Sequence, residues 1–309
     1  MQLMTDSASN KKRAMQSTGF LGLGMMGGAI AQRLLGEGVK LVGYDPDAKA
    51  MDRFCRAGGV VASSPREVAD RAELVFASLP SQGICRQVAL GESGVANGDA
   101  IKYYVETSTM GAGLAKDING ALADRQIEMI DAPVSGGATA AAEGRLSAIV
   151  AGSPPAVAAV HPVIDLYASR VFHVGQTVGS GQLVKLINNS ITIFGLLITF
   201  EALSVGDAAG IDRATLIDVI NASSGQNFAS RVIIPEGLLA DSRKRTGHMG
   251  TFAKDVTAYL DEARRLGLEL KIAPVLIELA KALAVDPNDD VAPTLEAYFC
   301  KRGFGLEGH

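Results

Sequence analysis

Short apolar runs alternate with stretches of helical spacing through the first half of the chain. From Gly19, the run Phe20-Leu21-Gly22-Leu23 reads as a buried strand, and Ala29–Leu35 then has helical spacing that Gly36 and Gly38 end. Lys40–Tyr44 is a second strand, stopped by Asp45-Pro46. The pattern continues with helices over Ala48–Ala57, Pro65–Arg71 and Ala112–Asp124 and strands over Leu74–Leu79, Tyr103–Glu106 and Ile127–Ile130. Strands alternating with helices predict parallel βαβ units, an α/β fold with a doubly wound parallel sheet.

After Ala148–Ala151 and His173–Val174 the strand signal stops. Gln182–Ala209 reads as one long helix, followed by helical segments near Arg213–Asn221, Lys254–Leu266, Ala273–Ala284 and Val291–Phe299. Asp212 is placed as an N-cap and Gly267 as a helix stop. The expected organisation is a disordered tail over 1–17, a nucleotide-binding domain over 18–180 and an all-α domain over 181–309. The long helix joins the two domains.

Composition narrows the classes. At 309 residues, 48% hydrophobic and 20% charged, the chain reads as a soluble globular protein of two domains. A net charge of −4 with no basic stripe argues against a nucleic-acid partner. Cys55, Cys85 and Cys300 fit neither a disulfide framework nor a metal-ligand spacing, and the four histidines form no metal motif. A reducing, cytoplasmic setting without a metal is expected. Residues 1–17 lack the apolar segment of a secretory signal, and the apolar run Ile191–Phe200 is half the ~20 residues that span a bilayer.

Gly22-Leu23-Gly24-Met25-Met26-Gly27 follows a strand and opens a helix, the context in which GxGxxG binds a dinucleotide. The first glycine makes the tight turn, the second admits the pyrophosphate, and the third packs helix on strand. Helix N–H groups then face the phosphates. Asp45, ending the second strand, stands where an acid binds the ribose 2′-OH of NAD. With Asp47 beside it, a 2′-phosphate is repelled, so NAD is expected over NADP. A methyltransferase-type turn shares these glycines, but it leaves the second half of the chain without a purpose.

Asp131-Ala132-Pro133-Val134-Ser135-Gly136-Gly137 offers a hydroxyl and approachable backbone N–H groups, which suit a small carboxylate. Beyond Gly179-Ser180-Gly181, Lys185 and Asn189 fall at i and i+4 on one helix face. The residues around that lysine (Leu186, Ile187, Asn188, Ile191, Thr192) are apolar or uncharged, a poor setting for a solvated side chain. Hydride transfer at a carbinol carbon needs a proton moved at the oxygen, and Lys185 is the candidate group.

From about Thr18 to about Ala263, these motifs in this order resemble the β-hydroxyacid dehydrogenase family. The resemblance implies a Rossmann domain followed by an all-α domain, with catalysis in the cleft between them. It implies Lys185 as general acid/base with Asn189 beside it, and Ser135, Gly136 and Gly137 as substrate-binding residues. The cofactor would meet Gly22, Gly24, Met25, Met26, Gly27, Asp45, Leu79, Pro80, Thr109 and, from a later helix, Lys254. A homodimer or homotetramer acting on a small carboxylate is expected. Asn188 and Thr192 replace the His and Glu of decarboxylating relatives such as 6-phosphogluconate dehydrogenase, and Lys185 is a residue that imine reductases usually lack. The remaining alternatives are such an imine or other carbonyl reductase and a catalytically silent NAD-binding partner. Val291-Ala292-Pro293 departs from the family's usual C-terminal pattern. Substrate choice is expected from loops such as Ala138–Gly144 and Gln226–Arg231.

Overall fold

The computed structural model describes residues 17–244 and 246–301. The tail expected over 1–17 lies outside the described residues except for Ser17, as does the chain end from residue 302. The structure comprises two compact units, one ending at Lys185 and one beginning at Leu186, so the division falls within a single helix.

The first unit is built on a nine-stranded sheet. In chain order its elements are β1 (Thr18–Leu21), α1 (Met25–Gly36), β2 (Leu41–Tyr44), α2 (Ala48–Arg56), β3 (Val60–Val61), α3 (Pro65–Arg71), β4 (Leu74–Ala77), α4 (Gln82–Leu90) and β5 (Tyr103–Glu106). There follow α5 (Ala112–Ala123), β6 (Glu128–Asp131), β7 (Val134–Ser135), α6 (Gly137–Ala142), β8 (Leu146–Ala151), α7 (Pro154–Ile164) and β9 (Ala168–Gly175). The strand order is β3-β2-β1-β4-β5-β6-β8-β7, with β9 paired to β8. From β3 to β6 every pairing is parallel. Both faces of β1 are buried: Phe20 joins Ile30, Leu34 and Phe76 on one side, and Leu21 joins Val42, Val75 and Ile118 on the other. A parallel sheet covered by helices on both faces requires such an apolar run rather than an alternating one.

The sheet is not parallel throughout. β8 runs antiparallel to both β6 and β7, because the chain reverses across α6, between Ser135 and Leu146. Ala138–Gly144, expected as a loop, instead contains most of α6. α4 and α7 were not legible as helices. Gly83 interrupts the first, and the second carries Pro162 inside a segment too uniformly apolar to show a polar face.

The second unit is helical, and its only extended pairing among the described residues is one bridge between His248 and Asp290. The long helix α8 (Ser180–Ala208) enters it and contributes Ile193, Leu196, Leu197, Phe200 and Leu203 to its core. The elements α9 (Arg213–Asn221), α10 (Met249–Arg265), α11 (Ala273–Leu283) and α12 (Val291–Glu296) pack there too, through residues such as Ile217, Val256, Ile277 and Leu295. Wide π-helical turns at Ala229–Ile233 and Pro235–Leu239 supply Ile233 and Leu238. The Asp212 carboxylate accepts the Thr215 N–H at 2.8 Å, capping α9. Gly267, with φ +73°, closes α10 while Leu268 N–H returns to the Ala263 carbonyl.

By length and composition α8 qualifies as a possible membrane span, although its longest apolar run is short. Its hydroxyls explain the difference. Thr192 Oγ1 bonds the Asn188 carbonyl at 3.0 Å and Thr199 Oγ1 the Gly195 carbonyl at 2.6 Å, so both are satisfied inside the helix. A core helix has the same character, and this one buries a face in the second unit.

Candidate active site

Parallel strands deliver their carboxyl ends to one edge of the first unit, and the sheet order reverses beside β1 there. In an open α/β sheet that edge is where ligands bind. Gly22 leaves β1 with φ +83°, and a Cβ on it would stand 2.2 Å from the Ser78 carbonyl oxygen. A Cβ on Gly27 would stand 2.0 Å from the Gly22 carbonyl oxygen, so α1 can pack this closely only with glycine there. Gly24, by contrast, has open space where a Cβ would be and precedes α1 with no side chain capping its first N–H groups. The result is a cradle with exposed donors at a helix N-terminus, suited to a pyrophosphate. Met25 is exposed and Met26 half-buried at the start of that helix.

Asp45 braces this loop. Its Oδ2 accepts the Leu23 N–H at 2.6 Å and its Oδ1 the Asp47 N–H at 2.8 Å. Asp47 in turn caps α2 through Lys49 N–H. A carboxylate accepts up to about four hydrogen bonds, so Asp45 retains capacity for a ribose hydroxyl. Leu79 and Pro80 follow β4, and the Leu79 N–H donates to Ser108 Oγ at 2.6 Å. Thr109, half-buried, lies on the loop after β5.

The loop after β6 carries Ser135 to a half-buried position at the end of β7. Gly136 and Gly137 adopt φ of 134° and 77°, a pair of left-handed conformations that side chains would strain. They lead into α6 without a side-chain cap, which leaves its first N–H groups available.

Asp131, fully buried at the end of β6, anchors the beginning of α8 by accepting the Gln182 N–H at 2.8 Å. Burial pushes its carboxyl up to about 7, although the backbone amides of Gln182, Gly179 and Gly181 pull in the opposite direction. Gly181 permits the approach: a Cβ there would lie 2.6 Å from the Ile149 carbonyl oxygen and 3.0 Å from Asp131 Oδ2. The side chain of Gln182, also fully buried, donates to the Ser108 carbonyl at 3.0 Å and accepts the Met110 N–H at 2.9 Å. Buried Glu106 completes the arrangement, accepting from Ser108 N–H and Tyr104 OH.

Lys185 is only 8% exposed, an uncommon state for a lysine and one that a solvated helix face does not produce. In the second unit, half-buried Asn189 donates its amide to Asp255 Oδ2 at 2.7 Å, and Lys254 Nζ lies 3.3 Å from the other carboxylate oxygen. Asn188 is exposed. Arg231 bonds Gln226 at 3.1 Å on the surface. Among the described residues no cluster of three or more His, Cys, Asp or Glu could hold a metal.

Gln182, Ser108 and Glu106 were not singled out in the sequence, and Asp255 stood there only as the neighbour of Lys254. For Gln182 the available signal was a lone amide directly after Gly179-Ser180-Gly181, at the head of an apolar helix. For Asp255 it was adjacency to Lys254. The partners of Ser108 and Glu106 give no local signature.

Comparison with known proteins agrees with the fold and the motifs. Residues 17–175 match the NAD-binding domain of 6-phosphogluconate dehydrogenase, and residues 179–296 match the NAD-binding domain of NADP-dependent 3-hydroxyisobutyrate dehydrogenase. The chain is 31% identical to NAD-dependent L-serine dehydrogenase of Pseudomonas aeruginosa, covering 94% of each chain. It is 30% identical to L-threonate dehydrogenase of Cupriavidus necator, over 84% of this chain and 87% of that one. The crystal structure of 3-hydroxyisobutyrate dehydrogenase from Salmonella typhimurium superposes with a TM-score of 0.80 at 26% identity, covering 92% of this chain and all of the other. With a glycine cradle at the switch point, a buried lysine on the long helix and matches spanning both units, the chain belongs to the β-hydroxyacid dehydrogenase family of NAD-binding oxidoreductases.

Proposed function

We propose that the protein transfers a hydride between NAD(H) and a small β-hydroxy acid or its semialdehyde. The burial of Lys185 carries this reading. A lysine removed from water, three residues beyond an anchored helix start, is a group kept for chemistry rather than for solubility.

The residues present fit the cofactor. The Gly22–Gly27 turn and the open first turn of α1 would hold the pyrophosphate, and Asp45 a ribose hydroxyl. Leu79, Pro80 and Thr109 would line the adenosine and nicotinamide-ribose side of the site. Lys254, held beside Asp255, would reach the cofactor from α10. Bound NAD supplies the hydride acceptor. The carboxylates of Asp45 and Asp47 disfavour a 2′-phosphate, which supports NAD over NADP.

Ser135 Oγ and the N–H groups of Gly136 and Gly137 bind the substrate carboxylate. Lys185 Nζ takes the proton from the hydroxyl during oxidation and returns it to the carbonyl oxygen during reduction. Asn189, one turn along α8, orients the lysine or the substrate, and its amide is fixed by Asp255. The apolar face of α8 supports a homodimer or homotetramer, and a cytoplasmic setting is proposed with it.

The test is NADH formation from NAD over a panel of 2- and 3-hydroxy acids that includes L-serine, L-threonate and 3-hydroxyisobutyrate. Turnover on one acid is expected, falling about 100-fold or more in Lys185→Ala while NAD still binds. Ser135→Ala should raise KM for that acid, and NADP should be the poorer cofactor. An active Lys185→Ala variant, or silence of the native protein across the panel, overturns the reading.

A further inference from the structure

Three functional segments of the first unit meet at one residue that no motif assigns. The backbone N–H of Gln182 is held by Asp131, four residues before Ser135. Its side-chain amide bonds the Ser108 carbonyl and the Met110 N–H, the groups on either side of Thr109. Three residues later on the same helix stands Lys185. All the atoms involved are buried, so none of these bonds competes with water and each is costly to leave unmade.

We propose that Gln182 is a positioning residue, fixing the loop around Thr109 to the first turn of α8 so that the cofactor side of the site and Lys185 keep one register. The proposal rests on the assignment of Thr109 and Lys185 made above. The amide suits this role because a single planar group offers both a donor and an acceptor, and the buried peptide groups on either side of Thr109 need one of each. The two side-chain bonds join uncharged groups and so do not titrate, whereas the backbone bond rests on the Asp131 carboxyl, which does. Misplacement by a fraction of an ångström at such a site costs rate even where the fold survives.

Two variants separate positioning from packing. Gln182→Leu keeps the approximate volume and removes both side-chain bonds. Gln182→Glu keeps the acceptor for Met110 N–H and removes the donor to the Ser108 carbonyl. Val163→Ala, in the core of the same unit, serves as a destabilised control outside the site. NADH affinity is measured by fluorescence titration, and kcat on the acid found above, at a temperature where circular dichroism shows every variant folded. Gln182→Leu should weaken NADH binding at least fivefold and lower kcat at least tenfold, with Gln182→Glu intermediate and Val163→Ala unchanged. Values for Gln182→Leu within twofold of the native protein overturn the proposal, as does an equal loss in Val163→Ala. If Gln182→Leu does not fold, Gln182→Glu carries the same comparison. If the native protein oxidises none of the acids, the functional reading fails by itself, and the NADH titration still decides the role of Gln182.

Discussion

Asp131 shows how a single residue can serve the site at a cost to the fold. Its Oδ2 accepts the Gln182 N–H, but its Oδ1 has no hydrogen-bond partner among the described residues, and burial raises its carboxyl from 3.8 to about 7. Between those values the folded chain holds a proton that the unfolded chain has released, so stability falls as pH rises through the window. Complete ionisation costs on the order of 4 kcal/mol, at about 1.4 kcal/mol per pH unit. Asp131→Asn keeps the acceptor and removes the titration. In denaturant unfolding at a series of pH values, the stability of the variant minus that of the native protein should therefore climb between about pH 4 and pH 7, then level off. A difference that stays flat across that range would refute the role given to burial. The sequence exposed Asp131 as a loop residue preceding Ser135, but not its partner, because the two positions are joined only when α8 begins against the sheet edge. Gly22 and Asp45 were easier to place: the strand-turn-helix context around them is local, and the structure puts both at the end of the strand that the sequence assigns them.

At the scale of elements, α8 is the piece on which the architecture turns. Its length was legible because fourteen apolar residues recur between Leu183 and Val205 without a helix breaker other than Gly195. Its seating was not legible. In the sequence Gly179 and Gly181 mark only the domain boundary, whereas in the structure each one lets the helix start lie against backbone. A Cβ would come within 3.1 Å of the Ala112 carbonyl oxygen at the first and 2.6 Å of the Ile149 carbonyl oxygen at the second. Neither oxygen can rotate away, since β8 fixes Ile149 and α5 fixes Ala112. Gly181→Ala should therefore cost about 1–3 kcal/mol, the range for overpacking a closed site. It should also shift the start of α8 enough to reduce turnover. Chemical denaturation and kcat measured on the same preparation test this, and a variant as stable and as active as the native protein would show that the helix start has room to adjust. The antiparallel return of β7 and β8 was hidden for a related reason. The Gly136-Gly137 pair codes for a turn, but the direction in which the chain leaves it depends on which strand edge is still open.

For the molecule as a whole, the two units have separate apolar cores, with Phe20, Phe76 and Tyr167 in the first and Phe200, Ile277 and Leu295 in the second. The glycine cradle, Asp45 and Thr109 all belong to the first, so NAD held at the proposed site should stabilise that core directly. A ligand held only by the folded state adds about 2.7 kcal/mol when present at about 100 times its Kd. For a unit of this size each kcal/mol moves the midpoint by roughly 2–4 °C, which gives a rise of about 5–10 °C. Differential scanning calorimetry with and without NAD should show this shift in the transition assigned to the first unit. That assignment comes from Gly27→Ala, whose Cβ would stand 2.0 Å from the Gly22 carbonyl oxygen and close the cradle. The variant should lower the same transition and abolish its response to NAD, because the steric conflict and the pyrophosphate site share the one turn. If Gly27→Ala instead retained the full NAD-induced shift, the dinucleotide would have to bind away from the α1 N-terminus, and the placement of Asp45 and Thr109 around it would fall with it.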